Sequence, residues 1–120
     1  MSKYHFLFVF IIVLTTGQAR KPEIIPFLDE YNVEQNESYQ LMCSISKGTK
    51  PIMFEWFKDD HKLYPNSGFL FDSKPSSSIL SFDAFLAHHS GNYSCRASNQ
   101  DGADQSSTLL QIKGLFFFKK

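Results

Sequence analysis

Two cysteines and a single tryptophan constrain the fold of this chain more than any other feature. Trp56 lies 13 residues after Cys43 and 39 before Cys95, and Tyr93 stands two residues before Cys95. One arrangement gives each of them a role. The cysteines cross-link two packed β-sheets, the indole covers the cross-link, and the phenol hydroxyl bonds back to the backbone of the preceding turn. The spacing therefore predicts a two-sheet β-sandwich.

The first 19 residues predict a secretory signal peptide. Lys3 and His5 precede an unbroken apolar run, Phe6 to Leu14, and Gly17 and Ala19 occupy the −3 and −1 positions of a cleavage site. An apolar run of about nine residues is too short for a membrane-spanning helix, which needs about 20. We therefore predict cleavage after residue 19, secretion, and no membrane span in this chain.

Secretion decides how the two cysteines are interpreted. An isolated pair in an oxidising compartment predicts a disulfide, here between Cys43 and Cys95. A zinc site would need further ligands, and no Cys-x-x-Cys spacing accompanies the nearby His88 and His89. The sequence predicts neither a metal nor a cofactor.

Short alternating segments separated by turns predict an all-β domain with an immunoglobulin-like sandwich fold and one inter-sheet disulfide. Gly91 is expected to give the turn before Tyr93 its backbone freedom. Strands are expected at 22–27 (an edge strand), 38–46, 52–57, 69–72, 77–83, 92–98 and 106–113. Alternation places the following side chains in the core: Leu41, Trp56, Leu80, Phe82, Tyr93 and Leu110.

Three stretches carry a more specific pattern: 22–27, the segment 44–60 around Trp56, and the segment 78–99 that leads to Cys95. They resemble the Dscam (Down syndrome cell adhesion molecule) family, in which His often stands where His89 does, whereas most immunoglobulin domains have Asp there. The resemblance covers 22–113 and implies one intermediate-set (I-set) immunoglobulin domain. It also implies a role in cell adhesion, axon guidance or arthropod immune recognition. Homophilic binding in that family uses several domains, so it is not carried over to one domain alone.

The tail 114–120 does not fit a secreted domain. It reads Gly-Leu-Phe-Phe-Phe-Lys-Lys, and four consecutive exposed apolar residues are an aggregation hazard. We interpret this end as a truncation of a longer chain, with a short membrane-touching tail as the alternative. Because Dscam-like receptors continue into further domains and a membrane span, a receptor fragment or a short secreted relative is expected.

Charge and composition narrow the function to protein binding. The span 21–113 carries a net charge of −4 and no basic patch, which argues against nucleic acid and anionic lipid as partners. Its serines are expected on exposed positions without a base or a cleft, so neither catalysis nor a small-molecule substrate is predicted. We expect an extracellular domain that binds extracellular or cell-surface proteins, with its own kind among the candidates. The alternatives are a stand-alone secreted immune factor and a passive spacer in a longer receptor.

Candidate binding surfaces are the segments 22–27, 69–71 and 99–102. Asn36 and Asn92 begin Asn-x-Ser sequons and are candidate glycosylation sites. His88 and His89 are interpreted as part of a solvated loop.

Overall fold

Nine strands and one turn of 3₁₀ helix make up the part of the chain that the computed structural model describes, residues 19–65 and 68–114. The strands are β1 (Glu23–Ile24), β2 (Glu30–Val33), β3 (Tyr39–Lys47), β4 (Met53–Lys58), β5 (His61–Lys62), β6 (Leu70–Lys74), β7 (Ser77–Phe82), β8 (Gly91–Asn99) and β9 (Gly102–Ile112). The helical turn is Ala87–His89. The signal peptide predicted for 1–19 and the tail 114–120 fall almost entirely outside the described residues and stay predictions.

The strands form two sheets, with orders β1-β3-β7-β6 and β2-β9-β8-β4-β5. All pairings are antiparallel except that of β2 with β9, which is parallel. The predicted two-sheet sandwich is confirmed. Strands β2 and β5 were not predicted, and β9 begins four residues before the expected strand at 106–113.

The core lies between the sheets because apolar side chains recur at every second position of the strands. On β8, Tyr93, Cys95 and Ala97 are fully buried and Asn92 is exposed, while Ser94 on the outward side is also buried, at 5% exposure. The other side chains that the sequence assigns to the core are also buried: Leu41, Trp56, Leu80, Phe82 and Leu110. Phe85, which no alternation predicts, is fully buried as well. Backbone bonds hold its loop in place: Phe85 N–H donates to Glu37 O, and Phe85 O accepts from Asn36 N–H, each at 2.9 Å.

The disulfide joins Cys43 on β3 to Cys95 on β8 and so connects the two sheets. Trp56 on β4 pairs with Cys95 across the neighbouring strands and is only 1% exposed. The Phe27 ring stacks on the indole at a centroid distance of 6.3 Å. The indole Nε1–H donates to the buried Ser78 hydroxyl at 2.9 Å, which satisfies a polar group that burial would otherwise leave unpaired.

The turn before Tyr93 contains the predicted tyrosine hydrogen bond, but Gly91 has a different role from the one expected. The Tyr93 hydroxyl donates to the carbonyl of His89, and burial raises the pKa of this phenol well above its ordinary value. The explanation offered for Gly91 was wrong, because its φ is not among the positive glycine angles of the described residues. The position needs space instead: a Cβ there would come within 2.9 Å of a carboxylate oxygen of Asp59.

The interpretation of His88 and His89 as a solvated loop is right for His88, which is exposed, and incomplete for His89, which is half-buried. The His89 imidazole packs at 5.3 Å from the Phe82 ring and 5.6 Å from the Phe85 ring. Its Nδ1 lies 2.9 Å from the Leu86 N–H and accepts that bond. Burial, with contributions from the neighbouring His88 and Lys58, lowers the pKa of His89.

We expect stability to fall as the pH drops below about 6.5, the ordinary His pKa. The folded state favours neutral His89, so its contribution is complete above the unfolded pKa and is lost as pH falls towards the lower folded pKa. Urea denaturation at pH 7.5 and 5.0 measures this loss. His89→Asn keeps an acceptor for Leu86 N–H without titrating in this range. An equal pH dependence in that variant and in the unaltered protein would contradict the assignment.

Candidate functional site

The three segments that the sequence offers as binding surfaces turn out to be mostly structural. In the segment 22–27, Pro22 and Ile24 are buried. The Ile25 side chain of that segment is 55% exposed. In 69–71, the Phe69 ring packs against Phe82 and Tyr93 inside the sandwich. Only the middle residue of that segment points outward.

The segment 99–102 contains a two-residue connection, Gln100 and Asp101, and Asn99 at the end of β8 ties down the start of the domain. The Asn99 amide donates to the carbonyls of Arg20 and Thr49, at 2.7 and 2.9 Å. Gly102 has a φ of 149°, and a Cβ there would meet the Lys21 side chain at 3.1 Å. These contacts leave Gln100 and Asp101 as the exposed residues of the loop.

The outer surface of the four-stranded sheet carries large apolar side chains, and we call it the apolar face. Met42 on β3 is 56% exposed, and Leu70 on β6 is 59% exposed. Half-buried Ile79 on β7 stands beside Met42 in the strand register. Ile25, just after β1, continues this surface, since its N–H bonds to Ser44 O on β3. Exposed apolar groups concentrated on one sheet surface are typical of protein contact sites.

The outer surface of the five-stranded sheet carries a charged cluster together with the exposed side chains of Met53 and Leu109, and we call it the charged face. Glu55 on β4 accepts from Lys62 Nζ at 3.0 Å and from Arg96 Nη1 at 3.1 Å. The bond from Lys62 and that from Arg96 lower the pKa of Glu55, and Glu55 in turn raises the pKa of Lys62. Two cations thus share one carboxylate, and both remain about two-fifths exposed.

The opposite edge of the charged face is acidic. Glu30 on β2 is exposed, and its carboxylate accepts from the Gln111 amide at 2.8 Å. The same amide donates to Asn32 at 3.2 Å. Neither partner is a cation, so the negative charge of Glu30 is not neutralised by these contacts. The strand order places this edge at the far side of the sheet from Lys62.

Asp59 and Asp60 form the turn between β4 and β5, both with positive φ. Asp59 accepts from Asn92 N–H at 2.9 Å and from Lys58 Nζ at 3.3 Å. The backbone bond, with the neighbouring ammonium, lowers the pKa of Asp59. This carboxylate therefore holds the turn to the start of β8.

Both sequon asparagines are exposed, in different settings. Asn36 occupies the turn between β2 and β3 with a φ of 69°. Asn92 lies on β8, and the hydroxyl of its sequon partner Ser94 is nearly buried, 2.7 Å from the Ser107 hydroxyl. Glycosylation at either site stays a prediction.

The described residues contain no group of three or more His, Cys, Asp or Glu side chains placed to hold a metal ion. No helix in residues 19–65 and 68–114 is long and apolar enough to cross a membrane. An open groove of about 680 Å³ lies at one end of the sandwich, between the β3–β4 loop and the β6–β7 turn. Lys50, Pro51 and Lys74 are among the residues that line it.

Comparison with known proteins identifies the fold family. The model of the immunoglobulin domain matches residues 21–99. The chain belongs to the immunoglobulin domain family. The fold and family are typical of non-enzymatic binding and structural domains. The structure of the Dscam1 Ig7 domain, isoform 5, superimposes with a TM-score of 0.69 at 24% identity, over 78% of this chain and 97% of that one.

The similar sequences are receptors and adhesion molecules. Vascular endothelial growth factor receptor 1 of Mus musculus is 31% identical over 96 residues, which are 80% of this immunoglobulin chain and 7% of the receptor. Cell adhesion molecule Dscam2 of Drosophila melanogaster is 32% identical over 95 residues, which are 77% of this chain and 4% of that protein. The chain therefore spans less than a tenth of the length of these relatives. Its immunoglobulin domain is homologous to domains of cell-surface receptors and adhesion proteins.

Several residues of these surfaces were missed by sequence reasoning. The charged cluster has one residue on each of three strands: Glu55, Lys62 and Arg96. No sequence motif indicates this cluster. Alternation does place Glu55 and Arg96 on outward positions, which is a usable signal. Their proximity needs the register in which Glu55 stands opposite Arg96.

Proposed function

We propose that this chain is an extracellular adhesion and recognition domain of the Dscam-like kind, which binds proteins at the cell surface. The observation that carries the proposal is the apolar face. Met42, Leu70 and Ile25 are each more than half exposed on the same outer sheet surface. Large apolar side chains that are exposed to water are unfavourable in free energy. Binding a protein partner buries them and is therefore favourable.

The interior of the sandwich supports the same conclusion. The core side chains Trp56, Tyr93 and Leu80 are almost fully buried, so binding chemistry lies on the outer faces and loops. Similarity to a growth factor receptor and to Dscam2 supports a role at the cell surface. A passive spacer within a longer receptor remains the competing function, and it predicts no partner for the apolar face.

Binding of protein-coated beads to a panel of cultured animal cells tests the proposal. The full chain would be expressed in animal cells and collected from the medium, where the predicted cleavage gives a mature chain that begins at Arg20. We expect the double substitution Met42→Ser and Leu70→Ser to reduce bead binding at least about tenfold, since contact residues at interface centres carry most of the affinity.

The matched control is Met53→Ser, a side chain that is 63% exposed on the charged face. It removes a comparable apolar side chain from the other sheet and is expected to leave bead binding unchanged. Absence of binding to every cell type would favour the spacer. Equal losses in the control and the double variant would show that the apolar face is not the contact surface.

A further inference from the structure

The groove between the β3–β4 loop and the β6–β7 turn has the features of a ligand site, and we call it the lysine groove. Its lining consists of Lys50, Pro51, Ile52, Ser73, Lys74 and Pro75, and both lysines are exposed. Its volume of about 680 Å³ lies within the usual range of ligand sites, about 300 to 1,000 Å³. An apolar lining with a few polar groups is the usual composition of such sites.

Cations from separate segments of the chain meet at this end of the sandwich. Lys50 comes from the β3–β4 loop, and Lys74 is the last residue of β6. Exposed Arg20 is held beside the same loop, because its backbone N–H donates to Thr49 Oγ1 at 2.8 Å and its carbonyl accepts from Thr49 N–H at 3.0 Å. Asp72, 3.6 Å from Lys74 Nζ, offsets one charge, so three cations and one carboxylate give these groups a net charge of +2.

A chain of hydrogen bonds runs from the core to the lysine groove. Trp56 Nε1–H, which can only donate, bonds to Ser78 Oγ at 2.9 Å. Ser78 is fully buried, so its own hydroxyl hydrogen needs an acceptor, and Ser73 Oγ at 2.8 Å supplies one. Ser73 lines the groove and can then donate its own hydroxyl hydrogen to a ligand there. The groove thus combines two ammonium groups with a hydroxyl donor.

We propose that the lysine groove binds a sulfated polysaccharide and holds one sulfate group between Lys50, Lys74 and Ser73. A sulfate group presents oxygens in several directions, so it can accept bonds from two ammonium groups and a hydroxyl at once. A carboxylate is planar and is matched best by the fork of an arginine side chain. Pro51 and Pro75 offer apolar surface to the carbon–hydrogen side of a sugar ring. The inference goes beyond the proposed function and rests on it only in placing the domain outside the cell.

Fluorescence titration of the secreted full chain with a heparin hexasaccharide tests the proposal. Trp56 is the single tryptophan and begins the bonded chain that ends at Ser73, so a sulfate on Ser73 should polarise that chain and shift the Trp56 emission. We expect saturable binding that weakens as sodium chloride is raised, because the charges are exposed. Lys50→Gln and Lys74→Gln should each weaken binding about threefold, and both together about tenfold.

Two further variants give results that damage to the fold would not produce. Asp72→Asn removes the carboxylate beside Lys74, so we expect binding about two- to threefold tighter. Ser73→Ala breaks the bonded chain to Trp56, so the hexasaccharide should no longer shift the emission, while calorimetry should still detect weakened binding. An unchanged affinity of Asp72→Asn, or an emission shift that persists in Ser73→Ala, would contradict the assigned contacts.

Lys113→Gln is the matched control for the two lysine variants. Lys113, like Lys74, is exposed and has an exposed carboxylate partner, Glu34 at 3.1 Å. It follows the 11 residues of β9, a strand that begins at the end of the sandwich where Asn99 bonds to the β3–β4 loop. Lys113 therefore lies at the opposite end, and its substitution is expected to leave binding unchanged.

Absence of hexasaccharide binding at low salt would overturn the proposal, as would equal losses in the control and in the groove variants. Polyglutamate or unsulfated hyaluronan binding as tightly as the hexasaccharide would also overturn it, since the groove would then recognise carboxylates. The titration contains no cells and no protein partner. The variant with Met42→Ser and Leu70→Ser should lose bead binding and still bind the hexasaccharide normally, so sugar binding and recognition at the apolar face fail or succeed independently.

Discussion

Replacing both Cys43 and Cys95 with alanine is expected to lower the free energy of unfolding by about 4 kcal/mol. The disulfide closes a loop of 52 residues and joins β3 to β8 across the sandwich. Without it, the unfolded chain regains the conformational freedom that the closed loop removes. A loss of this size is a large part of the total stability of a small domain, about 5 to 15 kcal/mol. Urea denaturation of the secreted variant and the unaltered protein measures the difference.

Reduction of the unaltered protein is the matched control for this prediction. A reducing agent should shift its denaturation midpoint to that of the double alanine variant and should leave the variant itself unchanged. The described residues contain no other cysteine, so the agent has a single target there. A midpoint that does not respond to reduction would contradict the assigned role of the disulfide.

The sandwich was predictable because its central strands are long enough to show alternation. On β3 and β8, nine residues each, apolar side chains return at every second position and a cysteine lies among them. Strand β2 was missed because it has four residues and its partner β9 is far away in sequence. Its Glu30 pairs with Leu109, and this parallel pairing leaves no local signal. The two residues of β5 are likewise too few to show a period.

The candidate surfaces were less predictable than the fold. Sequence alone gives the side of a strand on which a residue lies, but not the residue beside it on the next strand. Within the candidate segment 69–71, Leu70 is exposed, whereas the neighbouring Phe69 packs against the core. The charge separation between Glu30 and Lys62 depends on the strand order, which no single segment contains.

His89 shows the same limit for a loop. Its contacts come from Phe82 on β7 and Phe85 in the following connection. Local sequence identifies a polar residue two positions before a glycine and gives no reason to place its ring among aromatic side chains. The rings come from β7, the connection after it and the 3₁₀ turn before β8, and they meet only when these segments fold together.

Trp56→Ala is expected to cost about 3 to 5 kcal/mol of unfolding free energy, the range for large aromatic side chains removed from a core. The indole is 1% exposed, stands beside Cys95 and stacks with Phe27, so its removal leaves a cavity next to the disulfide. Urea denaturation followed by far-ultraviolet circular dichroism measures the loss, because the variant lacks the fluorescent indole.

The hydrogen bond from Trp56 to Ser78 allows packing and polar contributions to be separated. Trp56→Phe keeps an aromatic ring but removes the Nε1–H, whereas Ser78→Ala leaves that N–H without its buried acceptor. An unsatisfied buried donor costs about 1 to 3 kcal/mol. Combining both substitutions removes donor and acceptor together, so the double variant should lose less stability than the sum of the single losses. Strictly additive losses would mean that the indole stabilises the sandwich by packing alone and that the Ser78 hydroxyl is satisfied by its 2.8 Å contact with Ser73.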